Sequence, residues 1–148
     1  MSEKLLVTMV SGGAHFGVPV MRVRDVLDTP AIYRVPLAPP EIVGSINLRG
    51  RIVTAIDLRR RLGHTPRAEG ARCMCVIVEG AGFEPYALLV DEIGEVLAVD
   101  DATFEPNPIT MAKEWTSVCD GLYRRADTLL LVLDIDAVLA IGAPALAA

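Results

Sequence analysis

Two histidines and a pair of cysteines are the residues of this sequence best suited to nucleophilic or metal chemistry. His15 lies in a predicted hairpin and His64 follows a predicted helix, and neither has a nucleophile near it in the sequence. Cys73 and Cys75 are two positions apart on a predicted strand, so both point to the same face. No second cysteine pair and no nearby histidine completes the ligand set that zinc requires. We therefore expect exposed loop histidines and buried cysteines rather than a catalytic or metal centre.

Carboxylate and phosphate motifs are also better explained by local structure. Asp134 and Asp136 have the spacing of a metal-binding DxD pair, but a similar segment has only Asp57 followed by Arg59. Helix capping explains Asp57 and Asp134, because an aspartate before the first turn accepts backbone N–H groups. No glycine-rich phosphate cradle occurs. The sequence predicts no catalytic residue, no metal and no cofactor.

Two segments that mix charged and apolar residues are the remaining candidates for a binding site. One covers Val23–Leu27, and the other runs from Gly44 to the dipeptide Arg49-Gly50. Gly50 can take a positive φ at a turn, and Arg49 offers a planar set of five donors that suits a carboxylate. From spacing alone, Arg49 is an exposed arginine at the tip of a hairpin.

Short strands joined by tight turns are expected to position these residues. Four hairpins are predicted, over the pairs 4–10 with 14–20, 42–48 with 51–56, 73–79 with 84–90, and 120–124 with 128–133. Only residues 57–62 and 134–140 have the signals of a helix. Many short strands with few helices are typical of an all-β barrel or sandwich.

An internal repeat divides this all-β chain into two similar halves. The segment 16–27 matches 86–97 at a spacing of 70 residues, and 52–58 matches 129–135 at a spacing of 77. The second copy therefore has a net insertion of seven residues between Pro106 and Leu129. The repeat predicts two similar small β-barrels that pack together.

Composition limits the class of protein. The chain has 148 residues, 52% of them hydrophobic, with a net charge of −5. Its apolar runs reach only about five residues, far short of the roughly 18 that a membrane span needs. The odd cysteine count and the absence of a signal-peptide pattern predict a soluble protein of the cytoplasm. Charge is uneven, because residues 1–74 have 11 basic and 6 acidic side chains whereas 75–148 have 3 and 13.

The ordered set of these segments resembles the CheW family, the coupling proteins of bacterial chemosensory arrays. The resemblance covers roughly residues 4–141 and is centred on two motifs, Asn47-Leu48-Arg49-Gly50 and Ile56-Asp57-Leu58. Supporting segments are Phe16–Val20, Val23–Val26, Pro36, Gly44–Val53, Arg59, Leu88–Ile93, Glu95-Val96 and Leu133–Ile135. The family usually has glutamate where Asp25 stands and commonly has proline where Thr54 stands.

The resemblance implies an all-β fold of two SH3-like five-stranded barrels around a shared core, with two short helices. Residues 1–148 would form a single CheW-like domain. Its subdomain 1 would cover about 16–78, its subdomain 2 about 1–15 plus 79–141, and a C-terminal tail 142–148.

It also implies a non-catalytic adaptor that couples chemoreceptor cytoplasmic tips to the histidine kinase CheA. Such a protein stays in the cytoplasm, is recruited to receptor arrays at the membrane without inserting into it, and does not bind nucleic acid. The implied kinase-binding residues are Asp25, Gly44, Asn47, Leu48 and Arg49. The implied receptor-binding residues, in a groove between the barrels, are Val23, Val26, Ile93 and Val96. For these four, packing in the core is a competing interpretation.

Two other functions remain open from the residues alone. A small β-barrel that binds nucleic acid would use Arg49, Arg51 and the run Arg59-Arg60-Arg61, and its binding would weaken steeply with salt. A small-molecule hydrolase would need a nucleophile and a base that the sequence does not show.

Overall fold

A computed structural model describes residues 3–28, 30–34, 36, 37, 39–65, 68 and 71–140. The predicted tail 142–148 lies outside the described residues. Within the described residues, no helix has the length and apolar character that a membrane crossing requires.

Ten strands form two five-stranded sheets, which confirms the all-β prediction. The first sheet has the order β8-β1-β2-β10-β9 and contains β1 (Glu3–Ser11), β2 (Ala14–Pro19), β8 (Glu92–Asp100), β9 (Cys119–Arg124) and β10 (Leu129–Leu133). The second has the order β3-β6-β7-β5-β4 and contains β3 (Val23–Asp28), β4 (Ile42–Leu48), β5 (Arg51–Asp57), β6 (Met74–Glu79) and β7 (Pro85–Val90). All four predicted hairpins are present as antiparallel pairs.

The two sheets repeat one topology. Each has a single parallel pair, β2 with β10 in the first sheet and β5 with β7 in the second. The spacing of 70 residues relates β2 to β7 and β3 to β8, and the spacing of 77 relates β5 to β10. Equivalent strands therefore occupy equivalent places in the two sheets, as the repeat predicts.

The strands are shared between the sheets differently from the predicted subdomain boundaries. Subdomain 1 was expected over 16–78, but residues 16–19 belong to β2 of the first sheet, and β7 belongs to the second sheet. The physical reason is that the chain passes between the sheets after β2, at the 3-10 turn Val20–Arg22, and again between β7 and β8. The repeat unit starts one strand before each of these crossings, so its ends do not mark a sheet.

Both predicted helices are present and begin at the predicted caps. In α1 (Leu58–Arg61), Asp57 Oδ1 accepts a hydrogen bond from the Arg59 N–H at 3.0 Å. In α3 (Ile135–Leu139), Asp134 Oδ1 accepts one from the Ala137 N–H at 3.2 Å. A further single turn, α2 (Lys113–Thr116), lies in the segment where the repeat predicts an insertion.

Three buried apolar clusters explain why the strands contain uninterrupted hydrophobic runs. In β7, Leu88 and Val90 join the central cluster shared by both sheets, whereas Ala87 and Leu89 join a cluster inside the second sheet. A third cluster, which includes Leu6, lies inside the first sheet. Because alternate residues of a strand point to opposite faces, a strand between two clusters must be apolar throughout.

The cysteines have the structural role that the sequence predicts. Cys73 and Cys75 are both buried in the cluster inside the second sheet. Burial raises the pKa of the Cys75 thiol to about 12, so it stays protonated at neutral pH. Within the described part of the chain, no three His, Cys, Asp or Glu residues are placed to hold a metal ion.

Candidate protein-binding surfaces

The turn between β4 and β5 is fixed by left-handed backbone and by a side-chain hydrogen bond. Arg49 has a φ of 50° and Gly50 a φ of 87°, as a two-residue hairpin turn requires. Asn47 Oδ1 accepts a hydrogen bond from the Gly50 N–H at 2.8 Å. These constraints hold Arg49 at the tip, where its side chain is 80% exposed.

Arg49 forms an ion pair with Asp25, which lies on the opposite edge of the same sheet. Arg49 Nη2 donates to Asp25 Oδ2 at 2.8 Å, so the shorter aspartate does reach the arginine. Asp25 Oδ1 also accepts from the Val26 N–H at 2.8 Å, which orients the carboxylate. Since β3 and β4 are the two edge strands, a pair between β3 and the β4–β5 turn requires the sheet to curl on itself.

Gly44 supports this surface from inside the backbone. Its φ is 153°, and a Cβ atom there would overlap the carbonyl oxygen of Tyr33. Tyr33, which follows β3, pairs with Ser45 of β4 through two backbone hydrogen bonds of 2.8 and 2.7 Å. Gly44 thus permits the close approach that joins the two edges of the second sheet.

A pocket of about 290 Å³ opens beside the ion pair. It contains three of the expected kinase-binding residues together with two arginines that the sequence interpretation left out. Its lining is Arg24, Asp25, Leu48, Arg49, Arg51, Ile77 and Pro85. Arg24 and Arg51 could not be assigned from spacing, because they come from two strands whose adjacency depends on the curl of the sheet.

The four residues expected to bind a receptor divide into two pairs. Val23 and Ile93 pack against the central cluster, in line with the competing interpretation of core packing. Val26 and Val96 are 41% and 52% exposed. They occupy equivalent positions on β3 and β8, which are edge strands of different sheets. A common groove that joins them stays a prediction.

The arginine run in α1 connects the sheets instead of facing solvent as a group. Arg59 donates to both oxygens of Asp91, at 2.8 and 2.9 Å, and Asp91 Oδ2 also accepts from the Gly12 N–H at 2.8 Å. This bidentate pair holds the β1–β2 turn against α1, and hydrogen bonding to Asp91 raises the pKa of Arg59. Arg61 donates to the carbonyl of Ala137 in α3 at 3.0 Å. Sequence reasoning missed Asp91, because nothing in a linear sequence relates it to Arg59.

His64 differs from its expected place as an exposed loop histidine. It is half-buried, and its ring lies edge-on to Trp115 with the centroids 5.1 Å apart. Trp115 belongs to α2 in the insertion and also contacts Phe16 at 5.6 Å. His15 is exposed as expected, although it lies in strand β2. The insertion therefore supplies a cover for the central cluster that spacing alone did not reveal.

Comparison with known proteins agrees with this fold and surface. The family model described as CheW-like domain matches residues 5–142. Chemotaxis protein CheW of Bacillus subtilis (strain 168) is 31% identical over 137 residues, covering 93% of this chain and 86% of that protein. The probable chemotaxis protein CheW of Rhizobium etli is 33% identical over 106 residues, covering 72% and 68%.

A solved structure has the same overall arrangement. The crystal structure of the scaffolding protein TtCheW from Thermoanaerobacter tengcongensis superposes with a TM-score of 0.84 at 27% identity and covers 95% of both chains. Two curled five-stranded sheets, a match to the family model over nearly the whole sequence and these relatives agree. The chain belongs to the CheW-like family of chemotaxis scaffold and coupling proteins.

Proposed function

We propose that this protein is a non-catalytic adaptor that couples chemoreceptor cytoplasmic tips to the histidine kinase CheA. It acts in the cytoplasm and is recruited to receptor arrays at the membrane. It has no chemical step of its own: it holds two proteins in a fixed relation, and its effect on the kinase comes from unequal affinity for the kinase's active and inactive states.

The kinase surface is the tip of the β4–β5 hairpin, and the Asp25–Arg49 pair is the observation that carries this assignment. Arg49 is held in place by the turn and by Asp25, yet most of its side chain is open to solvent. An ordered, exposed arginine loses little conformational entropy on binding, which favours a strong contact. Asn47 and Gly44 act through the shape of the hairpin, while Leu48 lines the adjoining pocket.

The receptor surface uses the exposed valines of the two equivalent edge strands. Val26 and Val96 present apolar side chains to solvent, while Val23 and Ile93 support them from the central cluster. An apolar helical hairpin at a receptor tip is a suitable partner for such a surface. Each contact is small, and repetition across an array raises the overall affinity through avidity.

A binding experiment with two partners tests this function. The wild-type protein is titrated with the regulatory domain of the cognate CheA and, separately, with a receptor tip fragment. We expect Arg49→Glu to weaken kinase binding by about 30-fold, as for loss of an interface arginine worth about 2 kcal/mol, and to leave receptor binding unchanged. Val96→Asp is expected to do the reverse.

Matched controls separate these effects from general damage. Arg124→Glu removes a similar exposed ion pair, Arg124 Nε with Glu105 Oε2 at 2.8 Å, in the first sheet. Ile109→Asp places a charge at another fully exposed apolar residue. Neither control should change binding of either partner as strongly, and a folded wild-type protein that binds neither partner contradicts the proposed function.

Nucleic-acid binding has less support, because its arginines have protein partners. Arg59 and Arg61 are engaged with Asp91 and with the carbonyl groups of α3, and Arg49 is engaged with Asp25. The net charge of −5 also opposes attraction of a polyanion. A steep salt dependence of oligonucleotide binding would favour this alternative.

A further inference from the structure

We propose that the pocket beside the hairpin tip binds an acidic side chain of the kinase, and that Arg51 is the residue that receives it. This inference rests on the proposed function and adds to it a residue and a chemical class of contact. The occupant is an aspartate or glutamate carboxylate presented on the surface of the CheA regulatory domain.

The first support is that the pocket has more basic than acidic groups. Arg24, Arg49 and Arg51 line it from β3, the turn and β5, and Asp25 is the only acidic residue in the lining. Asp25 is already bonded to Arg49. The local field therefore favours a negatively charged group from outside.

The second support is the difference between Arg51 and its two neighbours. Arg49 pairs with Asp25 at 2.8 Å, and Arg24 Nε pairs with Glu79 Oε2 at 3.2 Å. Across the residues that the structure describes, the Arg51 side chain makes no hydrogen bond and no ion pair. Arg51 is exposed, so its five N–H donors remain available for a bidentate contact with a carboxylate.

The third support is that the hairpin does not need an arginine here. The spacing of 77 residues makes Thr128 the equivalent of Arg51, and Ala126 the equivalent of Arg49, in the β9–β10 hairpin. That hairpin forms without either guanidinium group. A structural requirement of the turn therefore does not explain Arg51, whereas a requirement of the binding surface does.

The remainder of the pocket suits a protein partner better than a free ion. Leu48, Ile77 and Pro85 add apolar surface next to the arginines. A carboxylate on a protein brings carbon atoms and neighbouring side chains that can cover this surface. A small inorganic anion would leave it exposed, so the combination of charge and apolar contact points to an acidic residue on a folded partner.

The test measures affinity for the CheA regulatory domain at several salt concentrations. We expect Arg51→Gln to weaken binding by about tenfold at low salt, with the difference falling below about twofold near 0.5 M salt because the charges are screened. Arg51→Lys should recover only part of the loss, because an ammonium group lacks the planar fork. Arg125→Gln is the matched control, since Arg125 is another exposed arginine, on the equivalent hairpin of the first sheet.

A charge exchange identifies the partner residue. Each aspartate and glutamate on the kinase domain is changed to arginine and tested against Arg51→Glu, and one combination should restore at least part of the wild-type affinity. Thermal unfolding of each variant confirms that it is folded.

The outcomes separate this inference from the function on which it rests. Wild-type binding with an unchanged affinity for Arg51→Gln overturns the role of Arg51 and leaves the adaptor function intact. An equal loss for Arg125→Gln also overturns it, because the effect would then be nonspecific attraction. Failure of the folded wild-type protein to bind the kinase domain overturns both.

Discussion

Substitution of Gly44 by alanine tests whether this residue shapes the hairpin surface from within. The added Cβ would overlap the Tyr33 carbonyl oxygen, so the two strands must separate. Separation breaks the two hydrogen bonds between Tyr33 and Ser45, each worth about 1 kcal/mol. Alanine at a φ of 153° adds about 1–3 kcal/mol of backbone strain. We expect Gly44→Ala to lower the free energy of unfolding by about 3–5 kcal/mol.

Urea unfolding followed by circular dichroism measures this loss, with Gly50→Ala as the control. Gly50 also has a positive φ, of 87°, but nothing lies within 4 Å of the position of its Cβ. The control should therefore lose only the cost of left-handed backbone, about 1–2 kcal/mol. Equal losses for the two variants would refute the reasoning, because the overlap with Tyr33 would then contribute nothing. In that case, Gly44 would be free to act only through contact with a partner.

Two further predictions concern charged groups away from the hairpin. Asp91→Asn should lower the free energy of unfolding by about 2 kcal/mol, between the values for exposed and fully buried pairs, because the side chains of Arg59 and Asp91 are 25% and 19% exposed. Chemical denaturation measures it, and a loss below about 0.5 kcal/mol would contradict the cross-sheet role. Burial and the charge of Asp134 raise the pKa of Asp120, so ionisation of Asp120 costs stability once the pH exceeds that raised value. Asp120→Asn should therefore raise the melting temperature at pH 7, and the gain should vanish below about pH 4, where aspartate is protonated in both states. A gain that persists unchanged at low pH would contradict this cause.

The hairpins were accessible to sequence reasoning because their information is local. Glycine pairs between apolar runs mark the turns, and Asp57 and Asp134 mark the helix starts through bonds to residues two and three positions away. The repeat extended this local reading to equivalent strands at fixed spacings. None of these features requires knowledge of which strands pair at long range.

The candidate site was accessible only in part. Asp25 and Arg49 came from the resemblance to the family, and the structure places them 2.8 Å apart. Arg24 and Arg51 were missed as neighbours in one pocket, because a strand pattern gives the face of a residue but not the strands beside it. His64 was misplaced because its neighbour Trp115 lies 51 positions away in the insertion.

By itself, the sequence determined the all-β class, the hairpins, the helix caps and the existence of two similar halves, since these depend on periodicity and on turn chemistry within a few residues. Only the tertiary structure decided which strand belongs to which sheet, because β3 and β8 each pair across long stretches of chain after the crossings between sheets. It also decided that Asp91 joins the sheets and that Arg51 faces a pocket while its neighbours are paired. Such relations depend on the curl of each sheet, which the packing of its whole apolar core determines.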